Sequence, residues 1–165
     1  MIDLAALGLG PGDLVLVDSG PLIYLSGPSA GRRRETVEAF LEAAKAGGLG
    51  LVASTLAWTE VLRGCLASGD TAAAEAARRL LSDSALIRLE PLDVAVAEEA
   101  AALLAARRIE LADAIHVATA IVADARAMLT NDEAWRDLAL DREKKGGRGL
   151  PRALLVDELA FMLEG

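Results

Sequence analysis

The stretch LVLVDSGPLIYL, Leu14 to Leu25, decides the fold. Leu14, Val15, Leu16 and Val17 are apolar without alternation. A strand covered on both faces reads this way, and such strands belong to parallel sheets flanked by helices. Asp18 follows at once. A turn or a helix cap explains a carboxylate there, and so does a ligand for a cation. Outward from this strand, further strands are predicted at Leu49–Ala53, Leu86–Leu89, Ala127–Leu129 and Ala153–Val156. Helical patterns fill the intervals. Arg33–Ala46 carries Val37, Phe40, Leu41 and Ala44 on one face and stops at Gly47-Gly48. Thr55–Ala67 follows Ser54 and Thr71–Leu81 follows Asp70, both good capping residues. Val94–Arg107 follows Asp93, with Glu98 and Glu99 early and Arg107-Arg108 late, as the helix dipole favours. Leu111–Ala125 is apolar almost all round and reads as a central buried helix. Strands alternating with helices imply an α/β fold with a mainly parallel sheet. Sites in such sheets gather beyond the carboxyl ends of the strands, where Asp18 stands.

The chain has 165 residues, enough for one domain with a full core. Apolar residues make up 53% and mean hydropathy is +0.35, with much of it Ala and Leu. No apolar run approaches the roughly 18 residues of a membrane span. The opening MIDLAALGLGPGD lacks Lys and Arg and does not read as a signal peptide, so a cytoplasmic protein is expected. Its GLGPG lacks the Lys-Ser/Thr ending of a phosphate loop and precedes a strand. Cys65 is the one cysteine, which excludes an internal disulfide and a cysteine zinc site. It reads as a small buried hydrophobe. The surplus apolar surface suits a partner or a dimer. The net charge of −8 argues against a broad basic nucleic-acid surface. Local clusters remain at Arg32-Arg33-Arg34 and at Arg142, Lys144, Lys145 and Arg148.

Four acids stand out. Asp18 ends the first strand. Glu60, in STLAWTEVLRG, sits on a helix beside Trp58, Val61 and Leu62. Asp113, in ELADAIHVATAIV, begins the helix that is apolar all round. Asp132, in AMLTNDEAW, follows a short apolar strand with Thr130 and Asn131 as further oxygen donors. Two carboxylates after strands and two on helices can meet at one edge of a parallel sheet. Clustered carboxylates repel, and a divalent cation removes that penalty. Oxygen-only ligands suit Mg²⁺ or Mn²⁺ rather than zinc. Two such ions roughly 3.5–4 Å apart can promote phosphodiester cleavage. Blander readings stand beside each: a solvated Glu60, Asp113 as a helix cap, Asp132 as a turn residue. His116, the only histidine, reads better as a packed helix residue than as a phosphate contact. Asp157 follows ALLV and reads as a helix cap.

The blocks VDSGPLIYL, TLAWTEVLRG, LADAIHVATA and LTNDEAW, in that order, resemble a PIN domain, the nuclease fold of VapC-type toxins. The resemblance runs from about Leu14 to Leu138. It implies a three-layer α/β/α sandwich, with residues 14–165 a single PIN-like domain behind an extension at 1–13. It also implies an Mg²⁺- or Mn²⁺-dependent endoribonuclease that acts as a toxin, forms a homodimer and is inhibited by an antitoxin. Asp18, Glu60, Asp113 and Asp132 match the family's acids. Asp18 and Asp113 would be the principal ligands, Glu60 a ligand or orienter of water, and Asp132 the completing group. Ser19 matches the hydroxyl residue after the first acid, and Trp135 stands where the family often has Phe. Thr130, Asn131 and His116 form a second tier. Arg32, Arg33, Arg34, Lys144 and Lys145 are RNA-contact candidates. Alternatives are a stand-alone RNA-processing nuclease and a non-catalytic PIN-fold binding module. A haloacid dehalogenase-type phosphatase would need an acid where Gly20 stands.

Overall fold

The structure is a computed structural model and describes residues 2–26, 31–82, 86–135 and 150–163. Lys144, Lys145 and the basic stretch from Arg142 to Arg148 lie outside the described residues. The elements run β1 (Leu14–Val17), α1 (Ser19–Ser26), α2 (Gly31–Ala46), β2 (Gly50–Ser54), α3 (Thr55–Ala67) and α4 (Thr71–Ser82). They continue β3 (Arg88–Glu90), α5 (Val94–Ala106), α6 (Leu111–Val122), β4 (Ala127–Thr130), β5 (Arg152–Leu155) and α7 (Val156–Met162). Five strands form one sheet in the order β3-β2-β1-β4-β5, and every pairing is parallel.

The strand LVLV takes the centre because it can be buried on both sides. Val15, Leu16 and Val17 have no solvent exposure. Alternation splits them between two cores. Val15 and Val17 pack with Phe40 of α2, Leu22 of α1 and Leu159 of α7 on one face. Leu16 packs with Val96 and Leu103 of α5 and with Ala114 and Val117 of α6 on the other. The result is the three-layer α/β/α sandwich.

Local chemistry sets most boundaries. Ser54 caps α3 by accepting the Ala57 N–H, and Asp93 caps α5 by accepting the Val96 N–H. Asp70 accepts the Ala73 N–H at 2.8 Å at the start of α4. Helix α2 ends at Ala46; beyond it Gly48 takes a φ of +70°, which only glycine adopts cheaply, and Leu49 N–H closes on Ala44 O. Helix α6 stops at Val122, short of the predicted Ala125. Asp124 turns left-handed at φ +56° and Ala125 N–H bonds Ala120 O. Helix α1 was not predicted because Gly20-Pro21 resembles a turn. Pro21 instead occupies the first helical turn, where a missing N–H costs nothing.

The segment before β1 is packed rather than appended. Ile2, Leu7 and Leu9 are buried in the core that holds Phe40. At the amino end of the sheet, Arg126 Nε donates to Gly8 O and Arg152 Nη1 donates to Leu7 O, each at 3.0 Å. Among the described residues, no helix is long and apolar enough to cross a membrane.

Candidate active site

The chain winds outward from β1 to β2 and β3, then returns to the other side of β1 for β4 and β5. The reversal lies between β1 and β4, and the crevice beyond their carboxyl ends is where such sheets hold ligands. Asp18 leaves β1 there and Asp132 follows β4. Thr130, fully buried, ties the two exits together. Its hydroxyl donates to Asp18 Oδ2 at 2.8 Å, and Thr130 Oγ1 itself accepts the Asp132 N–H at 3.1 Å. Ser19 N–H donates to Asp18 Oδ1 at 2.7 Å. Asp18 is therefore held from both sides.

Glu60 and Asp113 come from helices on either side. Glu60 lies on α3, in the stretch capped by Ser54. Its Oε2 stands 2.8 Å from His116 Nε2, and the nearby Ser19 side chain also favours the ionised carboxylate. The His116 bond, helped by the charges of His116 and Arg63, holds Glu60 below the usual carboxylate range against the opposing effect of burial. Asp113 lies in the first turn of α6. Burial and the carboxylates of Asp132, Asp18 and Glu60 push its pKa up, with only His116 opposing them. Asp113 thus feels all three other acids. It does not cap its helix, because Glu110 occupies that position.

His116 was expected as a packed helix residue. It is buried, yet both ring nitrogens are engaged: Nδ1 with Ser54 Oγ and Nε2 with Glu60, each at 2.8 Å. Nε2 also lies 3.8 Å from Asp18 Oδ1. Burial disfavours its charge, but Glu60, Asp18 and Asp113 together raise its pKa. Its spacing three residues after Asp113 puts both on one face of α6, a signal present in the sequence. Ser54 was read only as a cap, and nothing local foretells its second contact across 62 residues.

With His116 turned onto Glu60, the donors left facing the mouth are carboxylate oxygens. That set fits a hard cation such as Mg²⁺ or Mn²⁺ and not zinc. Among the described residues, no group of three or more His, Cys, Asp or Glu side chains is arranged to hold a metal ion. The site is an open mouth of acids.

The other candidates go elsewhere. Asn131 lies close enough to Asp157 to help lower the pKa of that carboxyl. Asp157 does not cap α7; Leu155 stands at the N-cap without a side-chain bond. Asp157 instead pairs with Arg33 through two bonds of 2.8 and 2.7 Å, which hold its carboxyl below the usual range. Arg33 also lies over the Tyr24 ring, and Arg32 donates to Ala160 O and stacks on Phe161. Arg34 donates to Leu25 O. The arginine run fastens α2 to α1 and α7, which a charge pattern read locally cannot show. Asp132, exposed, accepts the Ala134 N–H and so also serves as the turn residue its sequence allowed. Cys65 is buried and free.

The fold recurs in solved structures. The chain is similar to VapBC2 from Rickettsia felis bound to a promoter DNA fragment, at 12% identity and TM-score 0.61, over 75% of this chain and 92% of that one. It is similar to a toxin–antitoxin complex from Klebsiella pneumoniae at 24% identity and TM-score 0.54, over 72% and 86%. It is similar to VapC20 of Mycobacterium tuberculosis, a sarcin–ricin loop cleaving toxin, at 23% identity and TM-score 0.51, over 69% and 86%. No curated protein matches the chain. The PIN domain family matches residues 15–140, the span that carries all four acids of the mouth between β1 and β4, and the chain belongs to that family.

Proposed function

We propose that this protein is an Mg²⁺- or Mn²⁺-dependent endoribonuclease and the toxin of a toxin–antitoxin pair. The observation that carries the nuclease reading is the gathering of acids beyond β1 and β4: Thr130 joins the Asp18 carboxylate to the Asp132 N–H, His116 Nε2 lies 2.8 Å from Glu60 and 3.8 Å from Asp18, and burial with these three carboxylates raises the pKa of Asp113. Four acids sharing one mouth favour a bound divalent cation, which relieves their repulsion. When bound, the cation would supply charge stabilisation for phosphodiester cleavage. Asp18 and Asp113 would hold it, with Asp132 completing the set. Asp18 is oriented for this by Thr130 and Ser19. Glu60, kept ionised by His116, is placed to ligate or to orient the attacking water. RNA is a substrate that brings its own negative charge, so binding to a chain of net charge −8 would rest on local basic residues and weaken with salt.

The toxin reading draws on the structural neighbours, which are described as VapBC or toxin–antitoxin complexes and a toxin that cleaves the sarcin–ricin loop. An antitoxin partner and a homodimer follow from that reading.

The test is cleavage of an end-labelled RNA with Mn²⁺ or with EDTA, for the wild type, Asp18→Asn and Asp113→Asn. Cleavage is expected from the wild type with Mn²⁺ alone. Full activity in both variants would contradict the assignment. Inhibition by the product of an adjacent small reading frame would test the toxin role.

A further inference from the structure

The mouth is backed by a chain of hydrogen bonds that leaves α3 and returns to it. Ala57 N–H donates to Ser54 Oγ at 3.1 Å. Ser54 Oγ meets His116 Nδ1 at 2.8 Å, and His116 Nε2 meets Glu60 Oε2 at 2.8 Å. Ala57 and Glu60 belong to α3, and Ser54 is its N-cap. His116 is the one member from α6, so the ring spans two helices.

An ionised carboxylate only accepts, so Nε2 must carry a hydrogen and donate to Glu60. In the neutral ring Nδ1 accepts the Ser54 hydroxyl, and in the charged ring it donates to that oxygen. The direction toward Glu60 is the same in both states. Ser54 and His116 are each 2% exposed, so the bond between them is sheltered from water. Glu60 is different, with 29% of its side chain exposed. Arg63, one turn further along α3 and exposed, also attracts it. Without His116, Glu60 would be free to turn toward Arg63 and solvent.

We propose that His116, steadied from behind by Ser54, is a positioning residue that holds the Glu60 carboxylate over the mouth beside Asp18. It touches neither RNA nor metal in this role. This inference rests on the nuclease reading above.

The test compares His116→Gln, whose amide N–H can take the place of Nε2, with His116→Asn, whose shorter amide reaches only the Nδ1 position. Glu60→Gln serves as the reference. Free Mn²⁺ is followed by electron paramagnetic resonance without RNA, cleavage is followed separately, and thermal unfolding reports folding. Loss of an orienting partner typically costs roughly 10–100-fold in metal affinity or activity. His116→Asn should lose that much in both, as Glu60→Gln does, while His116→Gln retains most of both. A merely structural histidine would leave Mn²⁺ affinity equal in Asn, Gln and wild type, whatever their unfolding temperatures, and that result overturns the proposal while the nuclease reading stands. If Glu60→Gln changes nothing, His116 has nothing to position and this inference alone is overturned; if the wild type neither binds Mn²⁺ nor cleaves, the nuclease reading fails and this inference falls with it.

Discussion

At the amino end of β4 and β5, Arg126 and Arg152 give their N–H groups to Gly8 O and Leu7 O, and Asp13 lies 3.6 Å from Arg126. At the carboxyl end of β1 and β4, the carboxylates of Asp18, Asp132 and Glu60 all act on Asp113, and His116, with Arg63 beside Glu60, offsets them. One end satisfies its charges within the chain. The other leaves like charges crowded and partly open to solvent. Crowding of that kind lowers stability unless a ligand uses it. On the function proposed above, one end holds the fold and the other does the chemistry, and this division can be broken from either side.

The largest effect is expected at the acidic end. Asp18→Asn should lower cleavage by more than ~100-fold, since even an outer partner of a metal ligand is worth roughly 10–100-fold. Circular dichroism should show the fold intact. At the amino end, Leu9→Ala should cost about 2–5 kcal/mol in guanidinium unfolding, because a buried Leu loses its packing and leaves a cavity. Cleavage per folded molecule should not change. A large activity loss in Leu9→Ala with no loss of stability would erase the division between the ends.

Thr130→Val sits on the boundary between the two roles. It keeps the shape but leaves Asp18 Oδ2 and the Asp132 N–H without a partner. A cost of about 1–3 kcal/mol is expected, with a drop in cleavage as well.

Smaller effects come with pH in metal-free protein. Asp113 has a raised native pKa, so it binds its proton more tightly when folded. The stability it adds is full below the ordinary Asp range near ~4 and is lost as pH rises through the raised value. Glu60 runs the other way: its lowered pKa gives stability above the ordinary Glu range near ~4.3, lost as pH falls through the lowered value. Asp113→Asn should therefore remove the decline on raising pH, and unfolding curves across pH would show it. The smallest effect is at Arg33. Its pair with Asp157 is about half exposed on each side, so Arg33→Gln should cost less than ~1 kcal/mol, and less still in salt. If Arg33 instead contacts RNA, the salt slope of binding should fall by about 1.

Much of this was legible in the sequence where the signal is local. LVLV marks the central strand because both its faces are buried, and Ser54, Asp70 and Asp93 mark helix starts because a cap needs only its own neighbours. The four acids were legible as a set because each follows a strand or rides a helix at the same end of the sheet. Three things were not. Helix α1 was hidden because Gly20-Pro21 is good turn chemistry that also tolerates a first helical turn. The roles of Arg33 and Asp157 depend on a contact across 124 residues. The hydrogen bonds of His116 depend on how α3 and α6 cross, although its spacing from Asp113 already placed it on the right face.

If the acids crowd because a cation belongs among them, Mg²⁺ must change how Asp113 titrates. Following the Asp113 carboxyl carbon by NMR through a pH titration, with and without Mg²⁺, tests it most directly. The account predicts a raised pKa in metal-free protein that falls well below the ordinary Asp range when Mg²⁺ is added. A raised value that saturating Mg²⁺ leaves unchanged would contradict it.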